Sequence, residues 1–334
     1  MKLIFSLLFL VTLTVTVCAQ QMPQRTQYTQ NNFLLNPAVA GIENYTDVRA
    51  GYRNQWIGLE GAPTSFYTSI HSSLNKNDRN VKRLSMRGRG SSAGSGANKN
   101  NRFYVKPHHG IGAIAQMDKS GLLRTFSLNL NYAYHLPLTR EINMSGGVVA
   151  GLTQYRLNKN ALNLLTPDDP FVAGDIGNMN KVDLGVGIWL YSQSFYVGVS
   201  GMQLLRSSSD NAASRPGAAL QKHYYATGGV RVRASDLVTL TPSVMVKMAD
   251  NGLTMVDVNT KLMYAERFWL GASYRHKDAV AATVGVYLNH MLDVSYSQDI
   301  TTSDLNRVSA NTHEIVLGLK LNNAQRVLCP SWIW

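Results

Sequence analysis

Apolar and polar positions alternate with a period of two over most of the chain. In the clearest run, 181–191, Val182, Leu184, Val186, Ile188 and Leu190 share one face and Asp183, Gly185, Gly187 and Trp189 the other. Near the end, Ile315, Leu317, Leu319 and Leu321 alternate with Glu314, Val316, Gly318 and Lys320. Val238, Leu240, Val244 and Val246 do the same around Pro242, whose missing amide donor calls for a bulge or a strand end. Such segments begin near 47, 63, 108, 122, 142, 181, 194, 223, 237, 253, 267, 279, 290 and 312. They predict about fourteen strands of roughly ten residues each, the repeat of a transmembrane barrel.

The expected fold is therefore all-β: an antiparallel outer-membrane β-barrel spanning 47–321. Closure has a physical reason, because an open sheet edge in hydrocarbon leaves backbone N–H and C=O groups unpaired at several kcal/mol each. With the N-terminus in the periplasm, the long connections at 156–180, 205–222 and 300–311 all fall on the outer side. Short ones near 136, 192, 234, 265 and 289 fall on the periplasmic side, the asymmetry such barrels have. A long insertion, 76–105, is the exception and lies at the periplasmic end by this count. Aromatic residues flank several short turns: Tyr191 with Phe195 and Tyr196, Tyr264 with Phe268 and Trp269, and Tyr134 near Pro137. They are expected to form an interfacial girdle.

The ends set the compartment. Lys2, an apolar run from Leu3 to Val17 and the small residue Ala19 form a secretory signal over 1–19, with cleavage expected between Ala19 and Gln20. A lipoprotein anchor at Cys18 is the lesser alternative, since Val17 is bulky where that cleavage needs a small residue. After the signal no stretch of about 18 apolar residues remains, so membrane residence must come from strands. Residues 20–46 are expected to be a periplasmic N-terminal segment and 322–334 a C-terminal tail. Once Cys18 is removed only Cys329 is left, so no internal disulfide can form.

A net charge of +12 would suit nucleic acid, but export and a charged fraction of only 16% argue against that partner. Much of the excess sits in the insertion, in Lys76, Arg79, Lys82, Arg83, Arg87, Arg89, Lys99 and Arg102 against Asp78. The run Gly88, Gly90, Ser91, Ser92, Gly94, Ser95 and Gly96 gives the insertion the composition of flexible coil. Two readings stand for it: docking to an acidic partner or lipid head groups through Lys82, Arg83, Arg87 and Arg89, or a solvated insertion. The tail carries Trp332, Ile333 and Trp334, which need a surface: a partner protein, the barrel mouth or the membrane interface. Trp332 and Trp334 thus join the basic residues as candidate partner-docking residues.

Little points to chemistry. His108 and His109 are adjacent on a strand and face opposite ways, so they do not share an ion. No Cys pair, His-Glu-x-x-His helix or regular acidic calcium loop is present, and Asp168, Asp169 and Asp175 flank Pro167 and Pro170 as a turn does. Ser and His are scattered without the spacing of a hydrolytic constellation. The expectation is no enzyme, no cofactor and no metal. Strand parity sends Asp183, Arg231, Lys247, Asp257, Lys261, Asp293 and Glu314 into the lumen, either to line a selective channel or, the favoured reading, to pair and fill it.

Several segments resemble the PorP/SprF family of outer-membrane proteins. They include Asn36-Pro37-Ala38 through Gly41, Tyr52-Arg53-Asn54-Gln55-Trp56 with Gly61-Ala62-Pro63, and His108-His109-Gly110-Ile111-Gly112 with Asp118-Lys119. Tyr132 through Leu138, Tyr196-Val197-Gly198, His223-Tyr224-Tyr225 with Gly228-Gly229, Trp269-Leu270-Gly271 and His313-Glu314-Ile315 continue the match in order. The resemblance implies a component of the type IX secretion and gliding machinery. Its implied partners are outer-membrane lipid, periplasmic ring components and one secreted client protein or adhesin, which it helps to export or attach. The insertion near 76–105 departs from the family pattern and leaves the partner open. The competing function is a passive porin for small solutes.

Overall fold

The computed structural model describes residues 24–74, 106–139, 141–158, 178–205, 222–250, 252–276, 278–302, 311–324 and 326–332. Fifteen strand segments build one sheet. They are β1 (Thr46–Asn54), β2 (Thr64–Leu74), β3 (His108–Ser120), β4 (Leu123–Pro137), β5 (Asn143–Leu157), β6 (Asn178–Tyr191), β7 (Phe195–Met202), β8 (His223–Val230), β9 (Val232–Arg233), β10 (Val238–Ala249), β11 (Thr254–Tyr264), β12 (Phe268–Arg275), β13 (Ala279–Tyr287), β14 (Leu292–Thr301) and β15 (Thr312–Leu321). Every neighbour pairs antiparallel, and β1 closes on β15 with Thr46 opposite Leu321 and Asn54 opposite His313. Because β9 continues β8, the wall is a closed barrel of 14 strands.

The β8/β9 break answers the proline. Ser243 of β10 faces Gly229 and Leu240 faces Val232, so the register is unchanged across the gap and no residue is inserted. The ladder is interrupted opposite Thr241 and Pro242, where Pro242 has no amide to donate.

Strand parity holds around the wall. In β4, Leu128, Leu130, Tyr132 and Tyr134 are exposed on the outside while Asn129, Asn131, Ala133 and His135 are buried inside. The predicted lumenal residues Asp183, Lys247, Asp257, Lys261, Asp293 and Glu314 are all buried. The girdle expectation is corrected in part. Tyr134, Tyr264 and Phe268 face outward, but Tyr191, Tyr196 and Trp269 are buried in the interior, because residues of opposite parity point to opposite faces.

Both strand ends nearest the termini, Thr46 and Leu321, lie at one end of the barrel with the turns at 192–194, 234–237, 265–267 and 288–291. The strand ends Leu157, Asn178, Met202, His223, Thr301 and Thr312 lie at the other. By the asymmetry of outer-membrane barrels the turn end is periplasmic and the loop end external.

Candidate functional site

The lumen is not an open tube. Residues 24–45 run through it, entering β1 at the turn end, while Gln24 lies in the loop-end half beside Met255 and Arg275. The sequence expectation set 20–46 apart as a periplasmic segment, and for residues 24–45 the structure corrects it. Phe33, Leu34, Val39 and Ile42 are apolar and need burial, and the wall supplies it: they form one core with Tyr67, Ile114, Trp189, Tyr191 and Val316. The segment folds as three short 3-10 turns, Thr26–Gln30, Asn32–Leu34 and Pro37–Val39. In the third, Pro37 starts the turn and the Asn36 side chain caps it by accepting from Ala38 N–H at 2.9 Å.

Toward β3–β6 the plug touches wall backbone through missing side chains. A Cβ on Gly110 would collide with Ala40 O, on Gly147 with the Pro37–Ala38 peptide, and on Gly187 with Asn36 Oδ1. The plug's Gly41, at φ +74, lies against Gly110, where a Cβ would sit 2.6 Å from its Cα. Polar groups then fix the register. Asn36 Nδ2 donates to Ile188 O and Val199 O, each at 3.0 Å, and Ser145 Oγ donates to Ala38 O at 2.7 Å. His135 Nε2 donates to Ala40 O at 2.8 Å, His108 Nε2 meets Gly41 O at 3.1 Å, and Gly41 N–H donates to His71 Nδ1 at 3.2 Å. The His108 and His135 rings stack at 4.4 Å.

Toward the β1–β15 seam the plug meets charge. Arg53 pairs with Asp299 and Glu314, both at 2.8 Å. Thr26 enters this cluster, donating its hydroxyl to Asp299 at 2.6 Å and its N–H to Glu314 at 2.9 Å while its Oγ1 accepts from Arg53 at 2.8 Å. Arg275 joins Asp257 at 3.1 Å and Asp299 at 3.8 Å, and nearer the turn end Arg49 pairs with Asp47 at 3.0 Å and Asp293 at 3.5 Å. All these side chains are nearly dry, so each pair offsets a large desolvation cost, and loss of one member leaves a buried charge without its partner. Of the charges that parity sends inward, Asp257, Asp293 and Glu314 pair, while Lys261 donates to Gln30 of the plug and Arg231 reaches Cys329. Arg49 and Arg53 tie β1 to β14 and β15 across the closure.

The tail covers the turn-end mouth. Lys320 Nζ donates to Leu328 O, Arg231 reaches Cys329 Sγ at 3.6 Å, and Trp332 N–H donates to Glu43 Oε1 at 2.8 Å. Cys329 is a buried free thiol beside Met263, Trp269 and Tyr287. Trp332, expected as a docking residue, is 4% exposed and packs edge-on to Tyr191 with ring centroids 5.4 Å apart. Of the surfaces left open for the tail, that indole takes the barrel mouth, so it is not presented to a partner. Lys82, Arg83, Arg87, Arg89 and Trp334 lie outside the described residues. His108 is buried and His109 faces outward against Tyr132 OH at 2.7 Å, so the two point apart as expected. Among the described residues no group of three or more His, Cys, Asp or Glu could hold a metal.

The plug and its wall contacts were missed by parity alone. A signal existed: Gly147 and Gly187 interrupt strand interiors at inward positions, where glycine marks close approach of another backbone. Asn36-Pro37-Ala38 through Gly41 is the segment that approaches.

Fold and interior together define an outer-membrane β-barrel whose lumen is occupied by its own N-terminal segment. The family of type IX secretion system membrane proteins PorP/SprF matches residues 17–319, and the chain belongs to it. The tail, 322–334, thus lies wholly beyond the matched region. No curated protein sequence matches the chain significantly. Among solved structures, the Ralstonia pickettii toluene transporter TbuX is similar over 87% of this chain and 93% of its own, at 9% identity and a TM-score of 0.52. The Pseudomonas putida toluene transporter TodX covers 87% and 93% at 11% identity and a TM-score of 0.47. At these identities the TbuX likeness speaks for the barrel fold alone.

Proposed function

We propose that this barrel serves the type IX machinery as a closed platform rather than a conduit. In this role it secures the export or surface attachment of one large client protein or adhesin, in concert with periplasmic ring components. The single observation that supports this reading is the plug: a lumen crossed by residues 24–45 and fastened on opposite sides leaves the wall and its two ends, not a pore, to meet partners. The role is non-catalytic, and export through a signal ending at Ala19 belongs to the same proposal. A contribution to gliding would follow if the client is a motility adhesin.

The test is quantitative proteomics of spent medium and cell surface from isogenic strains with and without the gene. Loss of one or a few large exported proteins, with precursors held in the periplasm, is the expected result. An unchanged exported set contradicts the proposal and favours the porin reading.

A further inference from the structure

A small open recess remains in the loop-end half of the lumen, above the plug. Its floor is plug, from Tyr28, Leu34 and Leu35, and its apolar wall is Tyr225 of β8, Met245 of β10 and Met255 of β11. Unbranched Met side chains on two adjacent strands give this wall an adaptable surface.

The charges around the recess are unequal in how they are used. Arg275 shares its guanidinium among Asp257, Asp278 and Asp299, at 3.1, 3.1 and 3.8 Å, so that group is already neutralised from within. Lys247 adds a second cation to the lining. Arg25 differs from Arg275. Its Nη2 donates to neutral Gln116 Oε1 at 2.5 Å and its Cζ lies 4.4 Å over the Tyr67 ring. Among the described residues no carboxylate lies within 4.0 Å of it, and the partly buried Asp118 is a more distant acidic neighbour. A guanidinium held by a neutral amide and an aromatic face keeps its charge available for a planar anion that can accept two N–H bonds.

We propose that this recess is a binding site for a small organic anion, a carboxylate carried on a short apolar body. The carboxylate meets Arg25, with Lys247 as the supporting cation, and the body lies along Met245, Met255 and Tyr225. The site is independent of the platform role, since it requires only the plugged barrel.

The test uses the full mature chain purified in non-ionic detergent, titrated calorimetrically with phenylpropionate and with its uncharged counterpart phenylpropanol. The expected result is saturable binding of the carboxylate, about tenfold tighter than the alcohol, the worth of one charged hydrogen bond. Arg25→Gln should remove that preference while leaving phenylpropanol unchanged. Gln116→Glu is the second variant, for the case that Arg25→Gln does not fold: it sets a carboxylate against Arg25 and should abolish the preference by internal competition. Equal affinity for the two probes, or a preference that survives whichever variant folds, overturns the proposal.

Discussion

The two sides of the lumen hold the same plug by different physics. Toward β3–β6 the contact is steric and backbone-based: glycines let chain lie on chain, and single hydrogen bonds from Asn36, Ser145 and His135 set the register. Toward the β1–β15 seam it is electrostatic, through a buried cluster of Arg53, Asp299, Glu314 and Arg275 into which Thr26 inserts. The glycine side tolerates no added volume. The seam side tolerates no lost charge. The seam cluster also staples the barrel shut, so damage there should affect wall and plug together, whereas damage to the glycine side should unseat the plug and leave the wall standing.

Arg53→Ala sharpens this most. It leaves Glu314 buried without its cation and Asp299 with only the more distant Arg275, at about 3–5 kcal/mol. The expected outcome is a large fall in the thermal unfolding midpoint of the detergent-solubilised barrel, read by loss of β-sheet circular dichroism. A midpoint within a degree or two of wild type would place the stability elsewhere. Next, Gly147→Leu drives a side chain into the Pro37–Ala38 peptide and should cost about 1–3 kcal/mol by overpacking. Gly146→Leu, one residue away, points into open space on the lipid side and should be neutral. Limited proteolysis should cut within 24–45 in the first variant and not in the second; equal cutting in both would break the comparison. His135→Leu has an expected effect of at most the same size, about 1–3 kcal/mol for an Ala40 carbonyl left without its donor. Amide exchange measured by mass spectrometry should show faster exchange around 38–42, with the β1–β15 seam unaffected.

The wall was legible in the sequence because lipid outside and a polar lumen inside impose strict alternation. Starts expected near 108, 223, 279 and 312 coincide with His108, His223, Ala279 and Thr312, and the largest drift is at β6, which begins at Asn178 rather than 181. The interior charges followed from the same parity, but their partners did not. Arg53 meets Asp299 and Glu314 across the closure, 246 and 261 residues away in the chain, and alternation carries no information about register between distant strands. The plug escaped because 24–45 has neither period: short 3-10 turns bury residues irregularly, so Phe33, Val39 and Ile42 do not announce a face. Tyr191 and Trp269 sit beside turns like girdle residues, but composition near a turn does not tell lumen from lipid, whereas their parity does.

The most direct test of the plugged lumen is single-channel recording of the purified wild-type chain in planar bilayers, beside a variant lacking residues 24–41. The account predicts no steady ohmic current from the wild type and a stable aqueous conductance from the deletion, as an unplugged barrel of this width would carry. A steady open-channel current from the wild type, matching that of the deletion, would contradict it.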